Sequence, residues 1–185
     1  NITGGAGNLA FTNAIVMAGN GTITNNDAYT NTFSGGVTGT GNLTLNNTTA
    51  TDGGITFSTG SVNNAGTITN SGSGSGNVSL YTIGSGVTGV TQNSSTSALT
   101  ITGTNSSTGN TTISSGTVNI ANKTYLGSGN ITLGGSGTSG TLNITSGSGA
   151  LTFANAIVMA GNGTITNANP YTNTFTGGVT GSGNL

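Results

Sequence analysis

The sequence has almost no charge. Asp27, Asp52 and Lys123 are its only charged side chains, and Glu, Arg, His, Cys and Trp are absent from all 185 residues. Each absence removes a class of function. General acid–base catalysis needs a positioned His, carboxylate or amine, and two isolated aspartates offer very little. One lysine cannot neutralise a phosphate backbone, so no nucleic-acid partner is expected. Without Cys or His there is no structural zinc site and no disulfide framework. Calcium wants several carboxylates close together, which Asp27 and Asp52 do not supply. The longest apolar run is the five residues 14–18, against about 20 for a membrane-spanning helix, so no membrane insertion is expected here. The composition points to a protein with no catalytic, cofactor-binding or metal-binding residues, and so to no enzyme and no cofactor.

What is present is glycine (36 residues) with abundant Thr, Ser and Asn. That mixture leans towards disorder, but the apolar residues are placed too regularly for it. Leu9/Phe11, Leu43/Leu45, Ile55/Phe57, Val78/Leu80, Leu99/Ile101, Val118/Ile120, Ile131/Leu133, Leu142/Ile144 and Leu151/Phe153 each alternate with a small polar residue. Such period-2 bursts, bounded by Gly, Asn or Ser, signal strands, and β-branched residues suit a pleated surface. No 3.6-residue pattern competes. The chain reads as all-β.

The chain also repeats itself. Residues 13–25 and 155–167 are identical, and residues 1–43 align without a gap on 143–185, with 33 identities in 43 positions. Residues 1–142 are then one complete tandem repeat, and residues 143–185 start the next in a continuous array without separate domains. Single inward candidates (Ile15, Ile23, Phe33, Val37, Val62, Ile68, Ile113) fall between the doubled bursts. Together they predict coils of roughly 19–24 residues stacked as a right-handed parallel β-solenoid, or β-helix. At a strand spacing of about 4.8 Å, about six coils per repeat predict a rise of about 29 Å. The two copies are expected to superpose by that translation alone.

The copies differ at residues 4, 6, 8, 10 and 12, while Leu9/Leu151 and Phe11/Phe153 hold. This predicts that even positions face water and odd ones the core. Asn26-Asp27-Ala28 becomes Ala168-Asn169-Pro170, and proline there predicts an outside corner with no ladder donor required. Asp27 and Asp52 read as solvated turn residues, and Lys123 as an exposed loop lysine. Neither end carries an obvious polar cap, so the parent polypeptide is expected to extend beyond both, with Leu185 followed by something like residues 44–50.

The stretch LTITGTNSSTGNTTISSGTVNI, residues 99–120, resembles the autotransporter-associated β-strand repeat of bacterial surface proteins. Residues 171–185 and 29–43 look like variants of the same unit. The resemblance implies secretion, a right-handed β-solenoid and display at the surface of a bacterial cell.

Other motifs have structural explanations. Residues 84–89 and 135–140 satisfy G-x-G-x-x-G, but a dinucleotide site also needs a helix next and an acid about 20 residues on. Both read as corner glycines. Thr-x-Thr pairs (Thr22/Thr24, Thr67/Thr69, Thr100/Thr102, Thr164/Thr166) are reminiscent of ice-binding arrays, yet they do not recur on every coil. Asn-x-Ser/Thr sequons at Asn20, Asn77, Asn110 and Asn130 are expected by chance in such a composition. Asn20 and Asn162, at Gly-flanked corners, read as members of stacked ladders. The expected function is an extracellular structural protein: a surface filament, matrix fibre or stalk. Its partners would be further copies of the repeat in the same chain, with lateral association into bundles. The alternative is an adhesin passenger domain binding a host, surface or glycan. A pectin-lyase-type solenoid hydrolase would need clustered Asp, Arg or Lys on one face, which is lacking.

Overall fold

The computed structural model describes residues 2–3, 7–147 and 149–185. The chain is a parallel β-solenoid of about 8 turns of about 22 residues. Each turn visits three stacks of short strands. The first stack holds Leu9–Phe11, Asn31–Phe33, the starts of Ile55–Val62 and Val78–Ile83, Leu99–Ile101, the end of Asn110–Ile120, Ser139–Ile144 and Asn162–Asn167. The second begins with Ile15–Ala18 on Val37–Thr40, continues through Val62, Ile83 and Asn105, and ends with Thr152–Phe153 on Thr174–Phe175. The third runs from Gly21–Asn25 through Leu43–Asn47, Gly66–Asn70, Val87–Asn93, the start of Asn110–Ile120, Ile131–Leu133 and Ile157–Met159 to Val179–Gly181.

The alternation explains the stacking. Along the first stack the apolar residues point inward, so Ile55, Val78, Leu99, Val118 and Leu142 lie one above another, all fully buried. Parallel pairing leaves both edges of each strand satisfied by the turns above and below, and the core forms one continuous cluster. Aromatic rings stack along it: Phe11 on Phe33 at 4.8 Å and Phe33 on Phe57 at 5.1 Å. Phe153 on Phe175 repeats the pair at 4.7 Å. Glycine is required where turns approach most closely. A Cβ at Gly140 would lie 1.9 Å from the Ile113 carbonyl oxygen, and Gly39 has φ +92°, a conformation that side chains disfavour.

On the first stack, successive turns begin at Leu9, Asn31, Ile55, Val78, Leu99, Val118, Leu142 and Ile165. Every step along that column falls within the coil length that the sequence predicts. The predicted facing also holds where it can be read. Asn8, Ala10, Thr12, Ser146, Ala150, Thr152 and Ala154 are exposed, and Phe153 is buried. The exchanged positions Gly4, Ala6 and Ser148 lie outside the described residues. Leu9 and Phe11 are themselves exposed, in a groove of the first turn also lined by Ile2, Ile15 and Phe33. Residues 168–173 form the predicted corner, with Pro170 exposed between strands.

One expectation fails. Six turns from Leu9 end at Leu142, yet the repeat places the equivalent of Leu9 further on, at Leu151, just ahead of the second-stack strand Thr152–Phe153. Every element of the second copy is displaced by one stack. Leu9–Phe11 belongs to the first stack and Thr152–Phe153 to the second; Ile15–Ala18 to the second and Ile157–Met159 to the third. Gly21–Asn25 lies in the third and Asn162–Asn167 in the first. The copies are therefore related by a screw, not by a translation: six and a third turns, a rise of about 30 Å, with a rotation of one side. The cause is the number of stack positions in each repeat, which is one more than six full turns hold. The three stacks accept the same sequence because each asks only for alternating apolar and small residues.

Candidate functional site

Four surfaces and networks could carry function. The first is inside. Asn25 Nδ2 donates to Asn47 Oδ1 at 3.1 Å, and Asn47 Nδ2 donates to the carbonyls of Thr51 and Gly76 at 3.2 and 3.0 Å. One and two turns on, Asn70 Nδ2 donates to Gln92 Oε1 at 2.8 Å, and Gln92 Nε2 donates to the Ser94 and Ser97 carbonyls at 2.8 Å each. Asn25, Asn47, Asn70 and Gln92 are fully buried. Their amides occupy the corner after the third stack, where the backbone turns and its carbonyls lose strand partners, and each amide can donate twice and accept twice. The network is a structural clamp, and nothing in the sequence pattern marks it.

The corner at Asp27 belongs to it, and here the structure corrects the sequence. Asp27 is 6% exposed, not solvated. Its Oδ1 accepts from the Tyr29 backbone N–H at 3.0 Å and from Asn31 Nδ2 at 3.1 Å. In the second copy Asn169 Oδ1 accepts from the Tyr171 N–H at 2.8 Å, and Asn173 Nδ2 donates to Asn167 Oδ1 at 3.0 Å, as Asn31 does to Asn25. The same fold of the chain thus accepts either residue. A carboxylate and an amide oxygen are equivalent acceptors in this turn. Asp52 is exposed as expected, its Oδ1 accepting from the Asn77 N–H at 3.2 Å.

The second is a groove around Lys123. In the sixth turn a short 3-10 helix, Lys123–Tyr125, replaces the second-stack strand, with Asn122 accepting from the Thr124 N–H at its start. Where the strand is missing, a cavity of about 320 Å³ opens, lined by Lys123, Thr124, Gly127, Ser128, Thr152 and Asn155 among others. Lys123 is exposed, and Asn155 is committed to the Gly127 and Gly129 carbonyls at 3.2 and 2.6 Å. No group of three or more metal-ligating side chains occurs among the described residues.

The third is a column of threonines on the outer face of the third stack. Thr22, Thr44, Thr69, Thr91, Thr112 and Thr132 stack in direct register, followed by Val158 and Thr180. The Thr-x-Thr pairs do not recur as pairs, but one threonine per turn does, in every turn of this stack except the one that carries Val158. The sequence holds this signal at uneven intervals, and only the strand register makes it visible.

The fourth is a set of exposed tyrosines: Tyr29 and Tyr171 at the equivalent corner of the two copies, and Tyr81 within the strand Val78–Ile83. The two glycine motifs lie at corners and lead into the strands Val87–Asn93 and Ser139–Ile144 rather than into helices. Asn20, Asn42, Asn110 and Asn162 do form ladders: each Oδ1 accepts the backbone N–H one turn on, from Asn42, Thr67, Asn130 and Asn184, at 2.8 to 3.2 Å. No described helix is long and apolar enough to cross a membrane. No protein-family model, curated protein or solved structure matches the chain.

Proposed function

We propose that the chain is part of a non-enzymatic structural rod, a tandem-repeat solenoid that forms a filament, matrix fibre or stalk outside the cell or at its surface. One observation carries this reading: inside the chain the second copy stacks directly on the first. Ile131–Leu133 pairs in parallel with Ile157–Met159, and Ser139–Ile144 with Asn162–Asn167, so the new copy continues the same ladders and the same core without a break. Phe153 and Ile157, the equivalents of Phe11 and Ile15, are buried in that core. A repeat that stacks on its own predecessor in this way builds a rod.

The absence of charge supports a rod that tolerates close neighbours. The test is electron microscopy of chains carrying increasing numbers of copies of residues 1–142. Unbranched rods lengthening by about 30 Å per copy are expected; compact particles of constant length sink the proposal. The exposed tyrosines and the Lys123 groove favour a second reading, an adhesin that binds a glycan. Saturable glycan binding lost on Tyr81→Ala or Lys123→Gln would select it.

A further inference from the structure

The threonine column differs from the threonines at several corners. Corner threonines close onto the turn before them: Thr48 Oγ1 donates to the Asn25 carbonyl at 2.9 Å, Thr145 to that of Ile120 at 3.1 Å and Thr176 to that of Phe153 at 3.2 Å. The hydroxyls of Thr22, Thr44, Thr69, Thr91, Thr112 and Thr132 make no hydrogen bond to the described residues. They stand on consecutive turns, spaced at about 4.8 Å, with no charged side chain in the column. Any second rod built from this repeat carries the same ladder at the same spacing, so hydroxyls of two ladders can pair turn by turn without one falling out of step.

We infer that this ladder is a lateral docking surface for a second copy of the chain, and that the one-side phase shift of the repeat presents it in turn on all three sides of the rod. The inference rests on the rod reading above. It adds the contact surface and the geometry of association. In the first copy the column occupies the third stack; the second copy's Thr164, equivalent to Thr22, stands on the first. A third copy would place it on the second stack, and a fourth would return it to the third. The ladder therefore winds round the array as a staircase with a pitch of about 90 Å, three repeats long.

The size of one step decides what this can hold. Six turns make a strip about 29 Å long and about 10 Å wide, or about 300 Å² per partner. That is well below the roughly 800 Å² per partner of a stable interface. A single repeat should not dimerise. Arrays gain by repetition, because each contact made raises the effective concentration of the next. With steps facing three directions, every rod engages neighbours on three sides, giving three-dimensional bundles and not flat ribbons.

The experiment compares the chain of residues 1–185 with an array of six copies of residues 1–142. Sedimentation should find the chain monomeric at micromolar concentration and the array bundled. Image reconstruction of single array rods should give a rotation of about 120° for each rise of about 30 Å per copy; a rotation near zero overturns the staircase. A ladder variant carries Thr44→Lys, Thr69→Glu, Thr91→Lys and Thr112→Glu in each copy, which leaves the net charge unchanged. A control carries Val16→Lys, Thr38→Glu, Asn63→Lys and Ser106→Glu, mainly on the second side. The ladder variant should raise the concentration needed for bundling at least tenfold while its circular dichroism and rod shape persist, and the control should not. Equal effects of the two variants, or an unsubstituted array that stays dispersed, overturn the proposal without touching the rod reading. Loss of rods altogether overturns both. Dispersed arrays that co-sediment with microcrystalline cellulose through the ladder would assign it to a polysaccharide instead.

Discussion

Replacing Asn47 by alanine tests whether the buried amides hold the corners. Asn47 makes four hydrogen bonds: it accepts from Asn25 Nδ2 and from Thr49 Oγ1, and donates to the carbonyls of Thr51 and Gly76. At about 1 kcal/mol each, their loss would cost about 4 kcal/mol. Several partners keep another bond, however. The Gly76 carbonyl still accepts from Ser97 Oγ at 2.8 Å, the Thr51 carbonyl from the Gly54 N–H at 3.1 Å, and Asn25 Nδ2 still reaches the Asp27 carbonyl at 3.3 Å. The expected destabilisation is therefore about 2–3 kcal/mol, or a fall in Tm of about 4–12 °C for a chain of this length. Asn47→Asp should be worse than alanine, since it turns a donor into a buried anionic oxygen facing two carbonyls. Thermal melts followed by circular dichroism give the size of the effect, and hydrogen exchange gives its place. Turns couple mainly to their neighbours, so exchange should quicken around residues 25–31, 47–55 and 70–78 before it does at Ile131–Leu133. An alanine variant within about 0.5 kcal/mol of the parent, the spread of a neutral surface change, refutes the clamp. So does loosening spread evenly along the rod.

Asp27→Asn should leave stability equal or raise it by up to about 1 kcal/mol, because Asn169 builds the same corner and Asp27 Oδ2 is buried without a partner; a loss of that size in a denaturant titration contradicts the equivalence of the two copies. Gly140→Ala should cost more than about 2 kcal/mol by forcing a Cβ against the Ile113 carbonyl, whereas Gly19→Ala, with nothing within 4 Å, should be neutral or slightly stabilising. Melting should be flat between about pH 5.5 and 8.5, since the chain has neither His nor Cys, the side chains that ordinarily titrate there; a transition in that window would show a linked group the structure lacks. Trypsin should nick the chain once, after the exposed Lys123, and the two pieces should stay together on gel filtration, held by the ladders on the first and third sides; separation of the pieces would show that those ladders do not hold across the nick.

Much of this architecture is written in single positions. Alternating pairs such as Leu43/Leu45 and Leu99/Ile101 predict inward residues that are buried, and their spacing predicts turns of the observed length. These features are local: a strand with one apolar face has one way to hide it, and a chain of short strands divided by glycine corners stacks on itself. Lys123 and Asp52 are exposed as predicted, because nothing near them in the chain offers burial. Asp27 is not. Its burial comes from Asn25 and Asn31, which fold the corner back over it, and composition holds no hint of that.

Three further features emerge only when the turns are stacked. The buried amide network joins Asn25 to Asn47 and Asn70 to Gln92, one turn apart in each case, and its asparagines are indistinguishable by type from those of the surface. The threonine ladder depends on which residue of each turn lies above which, and unequal turn lengths conceal it. The phase of the repeat depends on how many strands it contains. Identical segments are expected to occupy identical places, yet Gly21–Asn25 and its copy in Asn162–Asn167 lie on different sides. Local sequence settles what each strand does, because inward and outward are set by neighbours two residues away. Which side each strand takes is settled only in the stacked chain, because it depends on how many strands precede it, and corners of unequal length hide that number from the sequence.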